Sequence, residues 1–264
     1  MNRLSSQDLR EKVRERYAGI AAEGSGCCGT EPQCCGESGS VSAQYLGYTS
    51  QELASLPEGA DLGLGCGNPV AIAELKAGER VLDLGSGAGI DAFLAAKQVG
   101  PSGRVIGVDM THEMIARARK NAEAGGYANV EFRLGEIEHL PVADNEIDVI
   151  LSNCVINLST DKAAVFREAF RVLKPGGRLR VSDIVALQPL PDALREDVES
   201  YTGCASGAAL VSEVEAMLEE AGFVEVDVAP RSSSREAIRE IAGDRGIEAY
   251  IASADITASK PAST

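Results

Sequence analysis

From Arg80 onward the chain repeats one alternation: a short apolar run rich in β-branched residues, a turn, and a helical pattern of roughly 10–15 residues. Arg80–Gly85, Arg104–Met110, Val130–Leu134, Ile147–Ser152 and Arg178–Val185 read as strands. Ala88–Val99, a helix capped by Thr111 and running through Ala124, and Lys162–Leu173 read as helices; Pro175-Gly176-Gly177 ends the last of them. Strands separated by helices of that length join through right-handed crossovers, which gives a mostly parallel sheet with helices on both faces. The fold class expected is therefore α/β, doubly wound and Rossmann-like. After Pro189 the rhythm loosens into a helix at Ser212–Ala221 stopped by Gly222, a strand at Phe223–Val228, a helix at Ser234–Ala242 and a last strand at Glu248–Ala258. A tail is expected to be disordered from about Ser259.

Ahead of this core, Leu9, Val13, Tyr17 and Ile20 recur three or four apart among charges, so Ser5–Glu23 is expected to be an amphipathic helix. Residues 24–40 are dominated by Gly, Ser and Pro, carry no apolar period, and are expected to form a mobile loop. The organisation that follows is a helix and cysteine-rich segment over 1–60, a binding core over 61–186, and a small C-terminal α+β region over 187–264.

The turn after the first strand, Asp83-Leu-Gly85-Ser86-Gly87-Ala-Gly89, lets backbone approach a ligand closely at a helix N-terminus. A dinucleotide fingerprint would want Gly or Ala where Ile90 stands, and an acidic residue before the first glycine suits a pyrophosphate poorly. A ligand with an ammonium and a carboxylate, such as the methionine tail of S-adenosylmethionine, matches better. Asp109, twenty residues past Gly89, ends the second strand where a carboxylate can accept both hydroxyls of a ribose.

Seven cysteines accompany a formal charge of −15, and no signal-peptide or membrane-spanning apolar run is present. The acidic balance disfavours nucleic acid as a partner. A cytoplasmic location is expected, with reactive thiols rather than a disulfide scaffold. Cys27, Cys28, Cys34 and Cys35 lie together in the Gly/Ser/Pro segment; Cys154 ends the fourth strand, while Cys66 and Cys204 have glycine neighbours. Each of the last three could be a buried small hydrophobe. Together they suit a thiophilic centre, but stand 88 and 50 residues apart, without the short paired spacing of a zinc knuckle. Trivalent arsenic, which prefers three sulfurs in a pyramid, is the alternative to zinc. The four clustered cysteines admit metal storage or a delivery and disulfide relay. His112 and His139 read as solvated.

The elements D-L-G-S-G-A-G, V-I-G-V-D-M, L-P-V-A-D-N-E-I-D-V-I and V-L-K-P-G-G resemble the class I S-adenosylmethionine-dependent methyltransferases over roughly residues 70–185. The resemblance implies a seven-stranded sheet with its last strand antiparallel. It also implies that the cofactor is bound by Asp83, Gly85, Ser86, Gly87, Gly89, Asp109, Met110, Ile137, Glu138 and Asn153. Asp83 would face the methionine amine, Asp109 the ribose, and the Ile137 backbone with Glu138 the adenine.

L-G-L-G-C-G-N-P around Cys66, S-N-C-V-I-N-L around Cys154 and G-C-A-S-G-A around Cys204 further resemble the arsenite S-adenosylmethionine methyltransferases. That resemblance implies that Cys154 and Cys204 bind arsenic, and that Cys66 joins them and can form a disulfide. Some relatives carry tyrosines where this chain has Leu62 and Leu64. The expected acceptor is arsenite or a thiol conjugate of it. A thioredoxin-like or small-thiol dithiol would serve as reductant, Cys27, Cys28, Cys34 and Cys35 as a relay, and the protein would be a monomer. Methylation of a small organic molecule and thiol-based sequestration of arsenic or metal are the competing functions.

Overall fold

The computed structural model describes residues 5–23, 46–191, 206–242 and 246–263. Strands β1 (Arg80–Leu84), β2 (Arg104–Asp109), β3 (Val130–Leu134), β4 (Ile147–Asn153), β5 (Leu173–Ala186), β6 (Val224–Pro230) and β7 (Ile251–Ser259) form one seven-stranded sheet in the order β3-β2-β1-β4-β5-β7-β6. The pairs among β1 to β5 are parallel, and β7 runs antiparallel to both β5 and β6. Strand order reverses between β1 and β4, the switch point at which open α/β sheets bind ligands beyond their carboxyl ends.

Helices α1 (Ser6–Glu23), α2 (Ser50–Ala54), α3 (Pro69–Ala73), α4 (Ile90–Val99), α5 (His112–Gly125), α6 (Lys162–Val172), α7 (Val211–Ala221) and α8 (Ser234–Ala242) flank the sheet. Both faces of β1 are covered, as its near-continuous apolar run demands. Val81 packs with Phe93, Ala96 and Ile115 of α4 and α5, whereas Leu82 and Leu84 pack with Val165, Phe166 and Leu218 of α6 and α7. The helix stops follow backbone chemistry. Gly126 and Gly222 end α5 and α7 in the left-handed conformation that glycine adopts without a Cβ penalty.

Several boundaries differ from expectation. Strand β5 begins at Leu173 rather than Arg178, because Leu173 pairs with Ile147 before an irregularity returns the register to Arg178 opposite Val149. Thr111 occupies the N-cap of α5 but makes no side-chain cap bond; its N–H donates to Asp109 Oδ1 at 2.8 Å instead. The expected last strand is split into a 3₁₀ turn, Ile247–Ala249, and β7. The tail expected to be disordered is anchored at Lys260. Its N–H donates to Gly177 O, extending the β5–β7 ladder, and its ammonium reaches Asn145 Oδ1 and the carbonyls of Phe170 and Leu173.

The amphipathic reading of α1 places its apolar side on the carboxyl end of the sheet. Val13 is fully buried with Leu158, while Ile20 and Ala21 pack with Leu62, Ala88 and Met114. On the same side, Arg10 and Arg14 pair with Glu136, and Arg10 also lies 3.7 Å from Glu138.

Candidate active site

Parallel register brings the ends of β1 and β4 onto one rim beside β5, which runs on to Ala186. Leu84 lies opposite Ser152, and Asn153 opposite Ser182, so Gly85 and Cys154 leave the sheet where Ser182 and Asp183 are still within β5. On the β1 side, Gly85 has φ +63°, and a Cβ there would lie within 3.0 Å of the Val155 side chain; only glycine fits. Gly87, at φ +51°, would instead present a Cβ to open space. Gly89 caps α4 at φ +104°, with the rings of Phe93 and Phe132 closing the space behind it.

This loop leaves polar atoms without protein partners. Asp83 is buried, accepts from the backbone of Ala92, and has an Oδ2 with no hydrogen-bond partner; Ser86 Oγ is in the same condition. Burial, and then the carboxylates of Asp91 and Asp109, push the Asp83 carboxyl well above the usual range. A buried, underpaired carboxylate beside a helix N-terminus fits a ligand that brings an ammonium and a carboxylate together. Asp109 accepts from Gly87 N–H at 3.0 Å and Thr111 N–H at 2.8 Å, and burial raises its pKa. Met110 packs beside Val13 and Leu158; Ile137 is buried; and Glu138 accepts from Ser159 Oγ at 2.6 Å.

On the β4 side, Cys66 and Cys154 form a disulfide with their Cα atoms 5.4 Å apart, although 88 residues separate them in sequence. Cys154 holds a left-handed backbone conformation, φ +57°, which costs a non-glycine residue on the order of 1–2 kcal/mol. The surroundings impose it. Cys154 N–H donates to Ser182 O, while buried Asp183 accepts from Ile156 N–H and the Asn157 amide and fixes the following turn. Burial lifts the Asp183 carboxyl to about 6 against these hydrogen bonds. The Cys66 loop is held as closely. A Cβ on Gly67 would sit 2.5 Å from Arg231 and 2.7 Å from Ser182, and Ser253 Oγ donates to Cys66 O. Arg231 is itself fixed by its ion pair with Asp255.

Asn153, expected on the cofactor, directs its side chain to the Cys66 loop, accepting from Cys66 N–H at 2.9 Å and donating to Gly67 O at 2.8 Å. Asp91 and Tyr48, which sequence reasoning did not single out, stand behind it. Tyr48 OH donates to Asp91 Oδ1 at 2.7 Å. Burial brings the Asp91 carboxyl to about 6 and pushes the Tyr48 phenol well above its ordinary value, so the phenol keeps its proton. Cys204, Cys27, Cys28, Cys34 and Cys35 lie outside the described residues. Among the described residues, no three His, Cys, Asp or Glu side chains are grouped to hold a metal ion, and no helix is long and apolar enough to cross a membrane.

Sheet order, glycine turn and underpaired carboxylate define a methyltransferase of the class I S-adenosylmethionine-dependent fold, and residues 75–222 match the family described as "Methyltransferase domain". The arsenite methyltransferase of Halobacterium salinarum is 52% identical over 264 residues, 97% of this chain and 68% of that protein. The arsenite methyltransferase of Aquipseudomonas alcaligenes is 46% identical over 68% of this chain, which spans 54% of that relative's length. The crystal structure of an arsenic(III) S-adenosylmethionine methyltransferase from Chlamydomonas reinhardtii superposes with a TM-score of 0.61 at 33% identity, covering 83% of this chain and 72% of that one. The chain belongs to the arsenite methyltransferase family.

Proposed function

We propose that this enzyme transfers the methyl group of S-adenosylmethionine to trivalent arsenic held by the thiolates of Cys66, Cys154 and Cys204. The observation that carries the reading is the meeting of Cys66 and Cys154 at the carboxyl end of β4, beside the glycine loop that ends β1. Bound at Asp83, Ser86 and Asp109, S-adenosylmethionine supplies an electrophilic sulfonium methyl. Asp83 holds its ammonium, Gly87 leaves the backbone open to it, and Asp109 receives the ribose.

The three thiolates hold arsenic with its lone pair toward the methyl donor. That lone pair forms the As–C bond as the S–C bond breaks, so no base has to remove a proton at the attacking atom, and catalysis rests on in-line positioning. Two of the three thiolates then couple as a disulfide and return two electrons to arsenic. The methylated trivalent product stays on the third, and water, losing a proton, supplies the hydroxide that replaces the departed thiolates. An external dithiol, thioredoxin-like or a small thiol, supplies two electrons and two protons to reopen the disulfide by exchange. We assign Cys27, Cys28, Cys34 and Cys35 to arsenic delivery or to that exchange, supported by their pairing in a Gly/Ser/Pro segment. Cycling thiols fit a reducing cytoplasm, where the activity would serve arsenic detoxification.

The test mixes protein, arsenite, S-adenosylmethionine and thiol and separates the arsenic species. Methylarsenicals are expected, with at least about a 100-fold loss in Cys154→Ser through lost positioning. Folded protein that binds S-adenosylmethionine yet yields no methylarsenical contradicts the reading. Unchanged methyl transfer to an organic acceptor in Cys154→Ser would place the activity elsewhere.

A further inference from the structure

One side chain sets the relation between the two observed thiols. The amide of Asn153 accepts from Cys66 N–H and donates to Gly67 O, bracketing the backbone on either side of Cys66, while the next residue along its own backbone is Cys154. That amide therefore ties the backbone of Cys66 to the residue that precedes Cys154. The amide nitrogen has two hydrogens. One serves Gly67 O, and the other faces Tyr48 Oη at 2.9 Å and Asp91 Oδ2 at 3.1 Å. Tyr48 OH closes the triangle by donating to Asp91 Oδ1.

The arrangement has one polarity. Asp91 only accepts, so the group beside it on Asn153 must be the nitrogen, which leaves the oxygen for Cys66 N–H. A flipped amide would set its oxygen against a carboxylate and its N–H₂ against the N–H of Cys66. Tyr48 and Asp91 are each 3% exposed, so water does not replace either partner. The loop is shaped to receive the amide as well, since a Cβ on Gly65 would stand 3.0 Å from Asn153 Nδ2.

We propose that Tyr48 and Asp91 are positioning residues for the thiol chemistry: they lock the Asn153 amide and through it hold Cys66 in register with Cys154, so that Cys66 serves as third arsenic ligand and disulfide partner. The ligand role rests on the function proposed above; the register of the two sulfurs does not. Tyr48→Phe keeps the ring among Phe93, Val70 and Ala73 and removes only the hydroxyl.

The experiment uses the full chain with Cys27, Cys28, Cys34 and Cys35 changed to Ser, so that those sulfurs do not compete. Diamide serves as oxidant. Each closure joins the sulfurs of Cys66 and Cys154, and two electrons and two protons reduce the N=N bond of diamide to N–N. Alkylation and peptide mapping follow the Cys66–Cys154 pair.

Tyr48→Phe is expected to slow closure about tenfold and weaken arsenite binding about tenfold, the effect of one lost buried hydrogen bond. The Kd for S-adenosylmethionine should stay within twofold, which also reports intact folding. In a Cys66→Ser background, adding Tyr48→Phe should leave arsenite affinity within twofold, because the register it controls is gone. Asp91→Asn should reproduce the slowed closure.

Unchanged closure and arsenite affinity in folded Tyr48→Phe would overturn the proposal, as would an equal loss of arsenite affinity with and without Cys66. A parallel fall in S-adenosylmethionine affinity would show a general structural effect and overturn it too. Should the parent bind and methylate no arsenite, the proposed function fails, while the closure rate still decides the register.

Discussion

The rim around Asp83 and the rim around Cys66 and Cys154 sit on neighbouring strands, yet their polar groups are treated differently. The Asp83 rim comes from one contiguous stretch, Asp83–Gly89 with Asp109 beside it, and leaves Asp83 Oδ2 and Ser86 Oγ buried without protein partners. The thiol rim draws on Tyr48, Cys66, Asp91, Asn153, Asp183 and Ser253, and its buried amides and carboxylates bond to one another. A site for a diffusible ligand is kept underpaired so that the ligand completes it. A site whose task is to hold reactive atoms in register is completed internally. The first sacrifices stability for affinity, and the second uses stability to fix geometry.

Asp83→Asn tests this contrast with the largest expected effect. Removing the carboxylate should weaken S-adenosylmethionine by several hundred-fold, about 3–4 kcal/mol for one partner of a buried charge pair. The same change should stabilise the ligand-free protein by about 1 kcal/mol, since a buried, underpaired carboxylate is relieved. Calorimetric titration and thermal melting measure the two; a destabilised Asp83→Asn would erase the contrast.

Asp183 supplies the next effect, on the thiol side. Its carboxyl titrates at about 6 in the folded protein, above the unfolded value of about 3.9. The folded state thus binds the proton more tightly. The stability this group contributes is fully present below about pH 4 and is lost as pH rises through about 6. The upper limit is about 3 kcal/mol from a shift of about two pKa units. Asp183→Asn should therefore flatten the fall in stability across that window, measured as the wild-type minus variant difference in denaturant titrations. An unchanged slope would show that Asp183 does not titrate there.

The two rims were also unequally legible in sequence. The Asp83 rim is local: strand, glycines and helix follow in order, and Asp109 falls at the end of the next strand, so periodicity and turn chemistry locate it. Cys66 and Cys154 stood out as residue types, but what orients them did not. Asp91 reads as an acid favoured in the first turn of a helix, and only the fold shows that it is buried facing Asn153. Tyr48 falls in a stretch read without structure, although Thr49 and Glu52 form a capping box that marks α2, and Asn68-Pro69 opens α3. The early start of β5 and the anchoring of Lys260 share one cause. Pro175-Gly176-Gly177 reads locally as a helix stop and a turn, but backbone pairing with residues distant in sequence, Leu173 with Ile147 and Gly176 and Gly177 with Lys260, carries that segment into the sheet.

Arsenic K-edge X-ray absorption tests the central claim most directly. The sample is the arsenite-loaded chain with Cys27, Cys28, Cys34 and Cys35 changed to Ser and the remaining thiols reduced. Three sulfur neighbours and no oxygen are expected around arsenic, falling to two sulfurs and one oxygen in Cys66→Ser. Oxygen ligands in the parent, or a sulfur count that Cys66→Ser leaves unchanged, would contradict a site assembled from these three thiolates.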